Sequence, residues 1–594
     1  MTSIADRVAD QTLPRAFLAT VAERGDTIAL RWKDGDDWGQ MSYEDYRERV
    51  ARAAAGLRAL GVGHGDRVVL MLRNSPEFHI LDTAALFLGA TPVSIYNSSS
   101  SEQVEYLVGH CAAVVGVVED DGFLARFNTV RSSLPHLRSL GVVKVGSEAH
   151  DFTLAELMDH EPLDLDAEAT AAEPGDLATI IYTSGTTGPP KGVMISHGNA
   201  VFMVESLREL MGDVDFAGKR LVSYLPMAHI AERAVSHYQH IILGTEVSTC
   251  PDPSQIGAYC REVRPHVMFG VPRVWEKFNA GVTAALAADP EKAEKFNEAV
   301  AASGPIALRR SQGTATEEDE ATWAFLDEVA FRGVRELLGL QDLMFAISGA
   351  APIPAPLLIW FRAIGVPMSE VYGMSENTGA MTWTPENIKP GYVGPAMPGT
   401  ELALADDGEV ICRGPHVFQG YLNDAEKTAE TIDAEGWLHS GDIGEIDEDG
   451  YLRIVDRKKE LIITAGGKNV SPANLEAALK MIPLVGQAAA IGDKRPFISA
   501  IVVLDPDTAK VWAAQHDVAY DSLEDLARNP AVIAEIESHL PEVMEPFNNA
   551  ERVKKLLIVG EEWLPDSDLL TPTSKLKRRG VNARYADQID ALYN

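Results

Sequence analysis

Cysteine is scarce in this chain: its 594 residues include four, at positions 111, 250, 260 and 412. No two of them form a Cys-x-x-Cys pair, which excludes a zinc ribbon and a dithiol redox motif. Four cysteines are also too few to crosslink a chain of this length, so we expect buried, reduced thiols. A chain of this length is too long to fold around one hydrophobic core, so at least two domains are expected.

Positive charge is also under-represented, because 52 Lys and Arg face 87 Asp and Glu and give a net charge of −35. An acidic chain repels polyanions, which argues against nucleic acid as a partner. Long apolar runs are missing too. The best candidate for a membrane span, residues 80–96, contains Asp82, Gly89 and Pro92. Without a charged-then-apolar leader, a cytoplasmic protein with no transmembrane segment is expected. Peripheral membrane contact stays open, because a folded apolar patch leaves no linear signal.

The most informative segment is a hydroxyl- and glycine-rich loop within residues 182–193, after an apolar, β-branched run. Glycines let the backbone approach an anion with its amide N–H groups, and Lys191 adds a mobile charge for a polyphosphate. A P-loop NTPase needs glycine before this lysine and Ser or Thr after it, whereas Pro190 and Gly192 stand there. The alternative is an ordinary turn between a strand and a helix. The candidate phosphate ligands are Thr183, Ser184, Gly185, Thr186, Thr187 and Gly188.

The order Tyr-Thr-Ser-Gly-Thr-Thr-Gly-Pro-Pro-Lys-Gly-Val resembles the AMP-binding loop of the acyl-adenylate-forming superfamily. That superfamily contains acyl-CoA synthetases, adenylation domains of peptide synthetases and firefly-type luciferases. Further segments resemble it in the same order, so the resemblance covers most of the chain. Taken together, they resemble bacterial long-chain fatty acid–CoA ligases.

Two of those segments carry the adenine site that the resemblance implies. In the family, a small face and a tyrosine ring sandwich the planar base. The resemblance also implies that Ser375 bonds the α-phosphate and that Glu376 binds magnesium, since a hard carboxylate oxygen suits a hard cation. The residues implied in nucleotide binding are Gly349, Ala350, Ala351, Tyr372, Gly373, Met374 and Ser375.

Asp442 and Arg457 match the family's ribose contacts. Asp442 ends the sequence His-Ser-Gly-Asp and lies 15 residues before Arg457. A short carboxylate accepts from both vicinal hydroxyls, and a guanidinium donates nearby. The resemblance therefore implies that both residues bind the nucleotide.

Lys575, in the sequence Thr-Ser-Lys-Leu-Lys-Arg-Arg, resembles the catalytic lysine of the family's C-terminal domain. Adenylation concentrates negative charge on the α-phosphate, and a fixed ammonium stabilises that charge. The family often has glycine before this lysine, where Ser574 stands here. Lys577 is the alternative, and alignment on the following basic pair favours Lys575.

The substrate side is implied by two segments. Residues 224–233 resemble the segment that places a histidine, here His229, beside the substrate carboxylate. Residues 270–277 resemble the segment of long-chain synthetases whose tryptophan, here Trp275, closes the fatty-acyl tunnel. A packed core aromatic is the alternative for Trp275.

A rotation of the C-terminal domain is also implied by the resemblance. Lys459 matches the hinge residue between adenylation and thioester formation. Gly466 and Gly467 would then line the pantetheine tunnel of CoA, where glycine leaves room for a thin chain. The alternative for these glycines is a plain β-turn.

Alternating helix and strand signals predict an α/β fold. Ser42 precedes apolar residues at helical spacing that end before Gly61, which predicts a helix, and residues 67–72 predict a buried strand. We expect a large N-terminal domain of doubly wound sheets over residues 1–456, with a helical insertion at about 282–338 and a small β subdomain at about 400–455. A smaller, mobile α+β C-terminal domain is expected over residues 457–594.

The resemblance implies a ligase that uses ATP, Mg²⁺ and CoA to convert a fatty acid into its acyl-CoA through an acyl-adenylate. Long acyl chains are the expected substrates, and a monomer or homodimer is expected. One alternative is an adenylating enzyme that loads a carrier protein. Others are a luciferase-type oxygenase and a nucleotide-binding protein without turnover. Catalytic roles are implied for Lys575, His229 and Lys191.

Overall fold

The computed structural model describes residues 3–183, 189–465, 469–564, 567–571 and 575–593. Strands in these ranges, numbered in chain order, are β1 Ile28–Asp34, β2 Asp37–Ser42, β3 Arg67–Met71, β4 Thr91–Ser94, β5 Val115–Val118, β6 Ser139–Val142, β7 Phe152–Thr153, β8 Leu177–Thr183, β9 Lys191–Ser196, β10 Arg220–Ser223, β11 Glu246–Thr249, β12 Val267–Gly270, β13 Phe345–Ser348, β14 Met368–Glu370, β15 Glu401–Leu404, β16 Glu409–Arg413, β17 Gly420–Tyr421, β18 Leu438–Ile446, β19 Leu452–Arg457, β20 Ile462–Ile463, β21 Asn469–Val470, β22 Val485–Ile491, β23 Ile498–Leu504 and β24 Val553–Val559.

Helices surround these strands. The α-helices are α1 Ile4–Val8, α2 Leu13–Arg24, α3 Tyr43–Ala59, α4 Pro76–Phe87, α5 Ser101–His110, α6 Asp121–Val130, α7 Leu154–Met158, α8 Leu165–Glu168, α9 His197–Met211, α10 Ile230–Glu232, α11 Gln239–Leu243, α12 Ile256–Val263, α13 Pro272–Leu286, α14 Pro290–Ser311, α15 Glu317–Leu326, α16 Arg332–Leu338, α17 Ala355–Ala363, α18 Ala425–Thr431, α19 Pro472–Leu479, α20 Pro506–Gln515, α21 Leu523–Ala527, α22 Pro530–Val543, α23 Arg578–Arg584 and α24 Ala586–Tyr593. π-Helical segments lie at Arg233–Tyr238 and Asp327–Phe331, and 3₁₀ turns at Arg131–Ser133, Pro253–Gln255 and Ser375–Asn377.

Two largely parallel sheets form the centre of the larger part of the chain. One has the order β14-β13-β12-β10-β11-β1-β2, with β2 as an antiparallel edge, and the other has the order β4-β3-β5-β6-β7. Residues 68–71 of β3 are all buried, as expected for a parallel strand covered by helices on both faces. The predicted helix is α3, where Ser42 and Asp45 form a capping box. The α/β fold class is therefore confirmed.

The segment before the predicted phosphate loop forms a hairpin. Strands β8 and β9 pair antiparallel, and β17 adds to β9 in a three-stranded sheet. The loop therefore joins two strands instead of a strand and a helix. The hairpin places Thr183 opposite Lys191 across the ladder.

Two smaller sheets follow. Strands β15, β16, β18 and β19 form an antiparallel sheet over residues 401–457, and the β subdomain was predicted at about 400–455. Strand β19 ends at Arg457, one residue beyond the predicted domain boundary. Strands β22, β23 and β24 form a sheet of their own, with α19 against β22. Helices α14, α15 and α16 lie within residues 282–338, where the insertion was predicted, whereas α13 begins earlier, at Pro272.

The apolar interior explains how the chain holds together without crosslinks. All four cysteines are free and buried, as predicted. Apolar side chains of both central sheets join one core. Strands β22 and β23 contribute to two further cores, one with α19 and α22 and one with α23 and α24. No helix of the part of the chain that the structure describes is long and apolar enough to cross a membrane.

Candidate active site

The predicted ribose and adenine residues meet where β18 and β19 pair, close to the segment that follows β14. The Tyr372 hydroxyl donates to Oδ2 of Asp442 at 2.5 Å, and Asp442 stands opposite Arg457 in the β18–β19 ladder. Nε of Arg457 lies 3.4 Å from Oδ1 of Asp442. Burial raises the pKa of Asp442, although Arg457 and the Tyr372 hydroxyl act in the opposite direction. The structure thus brings all three residues into one cluster.

Tight backbone packing surrounds the predicted adenine site. Strands β13 and β14 are parallel neighbours, so the segments after Ser348 and Glu370 lie side by side. A Cβ on Gly349 would lie 2.7 Å from Val371 Cγ1, and one on Gly373 would lie 2.3 Å from a backbone oxygen. Both positions therefore require glycine. Ala350 has φ +66°, while Ala351 beside it is exposed.

Glu376 lies in the 3₁₀ turn that begins at Ser375, directly after Met374. Its side chain is 7% exposed, and Oε1 accepts a hydrogen bond from the Tyr421 hydroxyl at 2.8 Å. Within the described residues, no cluster of three or more His, Cys, Asp and Glu could hold a metal on its own. A single carboxylate fits Mg²⁺ bound largely through phosphates and waters. Glu376 would hold such an ion with its second oxygen.

The described edges of the phosphate loop carry Thr183 and Lys191. Burial lowers the pKa of Lys191, with Lys427 the next cause and Lys459 also contributing, while Glu376 acts against them. Lys191 therefore lies close to both the predicted metal ligand and other cations. Five predicted phosphate ligands lie outside the described residues: Ser184, Gly185, Thr186, Thr187 and Gly188.

Lys575 comes to this cluster from the C-terminal part of the chain. Burial lowers its pKa to about 8, Arg457 acts in the same direction, and Asp442 and Glu376 oppose them. Its backbone N–H donates to Oγ1 of Thr571 at 3.0 Å. Lys577, by contrast, donates to the carbonyl of Ser567 at 2.8 Å, within its own segment. The structure therefore brings Lys575 to the predicted ribose and metal residues.

His229 lies at the start of α10 and is electrostatically coupled to Lys575. Burial lowers its pKa to about 3, and Lys575 adds to the shift, so the ring is neutral at pH 7. Nδ1 accepts from the N–H of Ala231 at 3.1 Å, which leaves the proton on Nε2. His229 therefore presents one N–H donor.

Glu232 closes the turn that carries His229, a role that the sequence interpretation missed. Its carboxylate accepts from the hydroxyls of Ser223 and Ser236, both at 2.7 Å, and from the N–H of Leu225 at 3.2 Å. Burial raises the pKa of Glu232 to about 7. The glutamate three residues after His229 was visible in the motif, but its partners were not.

A buried ionic cluster lies behind the same turn. Arg233, in the π-helical segment, pairs with Asp82 of α4 and donates to Oγ of Ser94 at 2.8 Å. Nε2 of His237 lies 2.8 Å from the other Asp82 oxygen, and both partners of the Arg233 pair are 0% exposed. This cluster fastens the His229 segment to the five-stranded sheet.

Trp275 lies on α13 in a core that is separate from the nucleotide cluster. The indole is 0% exposed, its N–H donates to the carbonyl of Gly270 at 3.1 Å, and its ring packs edge-on against Phe361. A gate role would require the whole indole to leave this core. That role stays a prediction.

An apolar cavity of about 80 Å³ lies outside the Trp275 core, between α9, the π-helical segment Arg233–Tyr238 and the strands β12 and β13. Ala231 lines it two residues after His229, and Val371 lines it next to Tyr372. Phe216, Phe345 and Trp383 also line it. The sequence interpretation missed this cavity, because its walls come from distant segments.

The predicted hinge residue stands between two anchors. Nζ of Lys458 lies 2.5 Å from Asp407 and 3.1 Å from Glu409, which fixes it to the β subdomain. Glu460 pairs with Arg578 at 3.2 Å in the C-terminal part. Lys459 between them is exposed. Gly466 and Gly467 lie outside the described residues.

Comparisons with known families match both parts of the chain. A family model described as AMP-binding enzyme matches residues 17–422, and one described as AMP-binding enzyme C-terminal domain matches residues 459–594. The chain is 42% identical over 435 residues to a putative fatty-acid–CoA ligase, fadD11, of Mycobacterium tuberculosis, covering 72% of this chain and 76% of that protein.

Two longer matches extend over nearly the whole chain. The long-chain-fatty-acid–CoA ligase FadD15 of Mycobacterium bovis is 36% identical, over 94% of this chain and 93% of its own length. The human long-chain-fatty-acid–CoA ligase ACSBG1 is 32% identical, over 98% of this chain and 85% of its own length.

Solved structures share the fold. The anthranilate CoA ligase AuaEII, bound to anthranoyl-AMP, superimposes with a TM-score of 0.73 at 21% identity, covering 98% of both chains. An A-PCP didomain of carboxylic acid reductase from Segniliparus rugosus, bound to AMP, gives 0.76 at 21% identity, covering 99% of this chain and 83% of that one. At this identity the likeness establishes the fold alone.

Proposed function

The chain belongs to the AMP-binding enzyme family, and from that premise we propose that it is an ATP-dependent long-chain fatty acid–CoA ligase of the AMP-forming kind. A carboxylate oxygen of the fatty acid attacks the α-phosphorus of ATP and expels pyrophosphate. The CoA thiolate then attacks the acyl carbonyl carbon of the adenylate and expels AMP. The names of relatives that match nearly the whole chain support this activity.

One observation carries the proposal at the level of residues: Lys575 is electrostatically coupled to Asp442, Arg457 and Glu376. In the proposed roles, Asp442 and Arg457 bind the ribose and Tyr372 flanks the adenine. The ammonium N–H groups of Lys575 then donate hydrogen bonds to the α-phosphate oxygens, on which negative charge develops. Fixed donors aimed at developing charge are usually the largest single contribution to catalysis.

His229 and Lys191 complete the proposed first step. The neutral His229 ring donates its Nε2–H to the fatty acid carboxylate, which orients one oxygen towards phosphorus. Lys191, with Thr183 and the glycine-rich loop, binds the departing pyrophosphate. When bound, Mg²⁺ would neutralise phosphate charge, and Glu376 is its proposed ligand.

The apolar cavity is the proposed entrance for the acyl chain. Its lining includes Ala231 and Val371, which lie next to His229 and Tyr372 in sequence. Transfer of an alkyl chain from water to such a lining gains about 0.8 kcal/mol per methylene. Trp275 is proposed as a gate only if its indole leaves the core when ligand binds.

The second step is proposed to follow a rotation about Lys459. The anchored neighbours Lys458 and Glu460 support a joint at this position. The rotation withdraws Lys575 and brings Gly466 and Gly467 to the pantetheine arm of CoA. We also propose the domain boundary at 456/457, a cytoplasmic location and a monomer or homodimer.

The test is product analysis with ATP and palmitate, with and without CoA. We expect AMP and pyrophosphate as products, sustained turnover with CoA, and at most about one equivalent of adenylate without it. ADP and phosphate formed in dependence on the acid would overturn the proposal. Turnover that needs a carrier protein in place of CoA would replace it by the carrier-loading alternative.

A further inference from the structure

Tyr421 touches both Glu376 and Lys191, although it is far from each in sequence. Its hydroxyl donates to Oε1 of Glu376 at 2.8 Å, and Nζ of Lys191 lies 5.1 Å from the centre of its ring. The tyrosine is 6% exposed. One buried phenol therefore spans the proposed metal ligand and the proposed phosphate lysine.

Backbone hydrogen bonds fix this tyrosine from both sides. Strand β17 places Tyr421 opposite Val193 of β9, and the N–H of Leu422 donates to the carbonyl of Gly192 at 2.8 Å. On the other side, the N–H of Phe418 donates to the carbonyl of Glu376 at 2.9 Å. The segment from Phe418 to Leu422 thus ties the Ser375–Asn377 turn to the phosphate-loop hairpin.

The two contacts act on different groups. Because Oε1 of Glu376 accepts from Tyr421, the carboxylate is oriented and its other oxygen is left for a cation. Hydrogen bonds of this kind to metal-binding carboxylates fix the ligand geometry, to which Mg²⁺ is sensitive. A phenol keeps its proton at neutral pH, so the Tyr421 hydroxyl is the donor in this hydrogen bond. The ring face, in turn, attracts the Lys191 ammonium.

We propose that Tyr421 is a positioning residue whose hydroxyl aims Glu376 at the cation that accompanies the nucleotide, while its ring holds Lys191 towards the polyphosphate. This inference rests on the proposed function, because it takes Glu376 and Lys191 as ligands of a metal–nucleotide complex. It assigns to one side chain two separable tasks, which substitution can divide.

Two variants divide the tasks. Tyr421→Phe removes the hydroxyl and keeps the ring, whereas Tyr421→Leu removes both. The readout is the Kd of the non-hydrolysable analogue α,β-methylene-ATP, measured by titration calorimetry over a series of Mg²⁺ concentrations. For Tyr421→Phe we expect about a 10- to 100-fold rise in the Mg²⁺ concentration at half-maximal effect, with unchanged affinity in the absence of Mg²⁺. Tyr421→Leu should also lose about 2- to 5-fold in affinity at every Mg²⁺ concentration.

Tyr585 offers a matched control. Its hydroxyl also donates to a carboxylate, that of Glu561, at 2.8 Å, but it packs in the C-terminal core around β23. Tyr585→Phe should therefore leave the Mg²⁺ dependence of analogue binding unchanged. A changed Mg²⁺ dependence in this control would show that the effect is not specific to Tyr421.

The outcomes separate this inference from the proposed function. If the unaltered protein binds the analogue without any dependence on Mg²⁺, the proposed function loses its metal site and the inference falls with it. If the unaltered protein shows the dependence and Tyr421→Phe retains it in full, the inference alone is overturned. Equal loss with and without Mg²⁺, together with a lower melting temperature, overturns it as well.

A double-mutant cycle keeps the test decisive if Tyr421→Phe also lowers stability. Since the hydroxyl acts through Glu376, Tyr421→Phe should add little to the Mg²⁺ defect of Glu376→Gln. Defects that multiply independently would overturn the inference.

Discussion

Two segments that come together in one site are held in different ways. The supports of His229 are buried: Glu232 bonds to Ser223 and Leu225, and Arg233 pairs with Asp82 at 0% exposure. Near Lys575, Arg578 pairs with Glu476 and Glu460, and its side chain is 20% exposed. The comparison teaches that the side proposed to stay fixed is built into the core. The Lys575 segment is held within the C-terminal part by ion pairs of Arg578, which is partly exposed.

Arg233→Met is expected to have the largest effect, because it leaves Asp82 buried without its cation. Breaking a buried pair in this way costs about 3–5 kcal/mol of unfolding free energy. The matched variant Arg578→Met should cost less, since that pair is closer to water. Calorimetric unfolding of both variants measures the contrast, and equal losses would erase the distinction between the two segments.

Lys575→Ala should slow adenylate formation by about 10²- to 10³-fold, the usual cost of one lost donor to developing charge. Thioester formation from a supplied acyl-adenylate should fall far less, because Lys575 is proposed to leave the site for that step. In the unaltered protein, adenylation should decline as the pH rises through about 8, where Lys575 loses its proton. Pyrophosphate release and acyl-CoA formation are measured separately.

Lys577→Ala is the control for that experiment, since Lys577 bonds to Ser567 within its own segment. It should retain most of both half-reactions. Equal loss of both half-reactions in Lys575→Ala would mean that the segment does not move.

Glu232→Gln tests whether the buried Glu232 carboxyl makes the stability of the fold depend on pH. The folded pKa of Glu232, about 7, exceeds its ordinary value of 4.5. This group therefore stabilises the fold fully below pH 4.5, and that contribution, about 3 kcal/mol, is lost as the pH rises through 7. Denaturant unfolding should show that the free energy of unfolding of Glu232→Gln rises, relative to that of the unaltered protein, between pH 5 and pH 8. A constant difference across this range would contradict the assignment.

Lys480→Ala is expected to have the smallest effect. Nζ of Lys480, the residue directly after α19, lies 3.3 Å from Glu276 on α13, so this pair links the C-terminal part to the larger part. Its loss should slow adenylation by about 2- to 5-fold and leave thioester formation unchanged. Arg528→Ala is the control, because its pair with Glu524 stays within one part. Slower thioester formation in Lys480→Ala would contradict a contact that acts only during adenylation.

Local patterns predicted the fold well where neighbours in sequence decide the structure. The capping box at Ser42, the helical spacing after it and the buried strand β3 all follow from residues a few positions apart. The nucleotide residues were predictable through resemblance, because each motif is contiguous. The β8–β9 hairpin was not predicted, since an apolar strand before a glycine-rich loop also suits a strand-to-helix turn.

The supporting residues could not be predicted, because their partners are distant in sequence. Tyr421 is 45 residues from Glu376, and Arg233 is 151 residues from Asp82. Neither pairing leaves a periodic signal. The apolar cavity could not be predicted for the same reason. A lone tryptophan such as Trp275 suits a tunnel gate and a packed core equally well.

Lys191, Arg457 and Lys575 gather at the candidate site, in a chain of net charge −35. The three proposed ligands are all anions, so the chain as a whole repels them during approach. Physiological salt screens exposed charges beyond about 8 Å. It therefore weakens this long-range repulsion more than the short-range attraction between the ligands and the cations of the candidate site. Encounter with ATP and CoA should therefore quicken as ionic strength rises, the reverse of an enzyme that steers its substrates electrostatically.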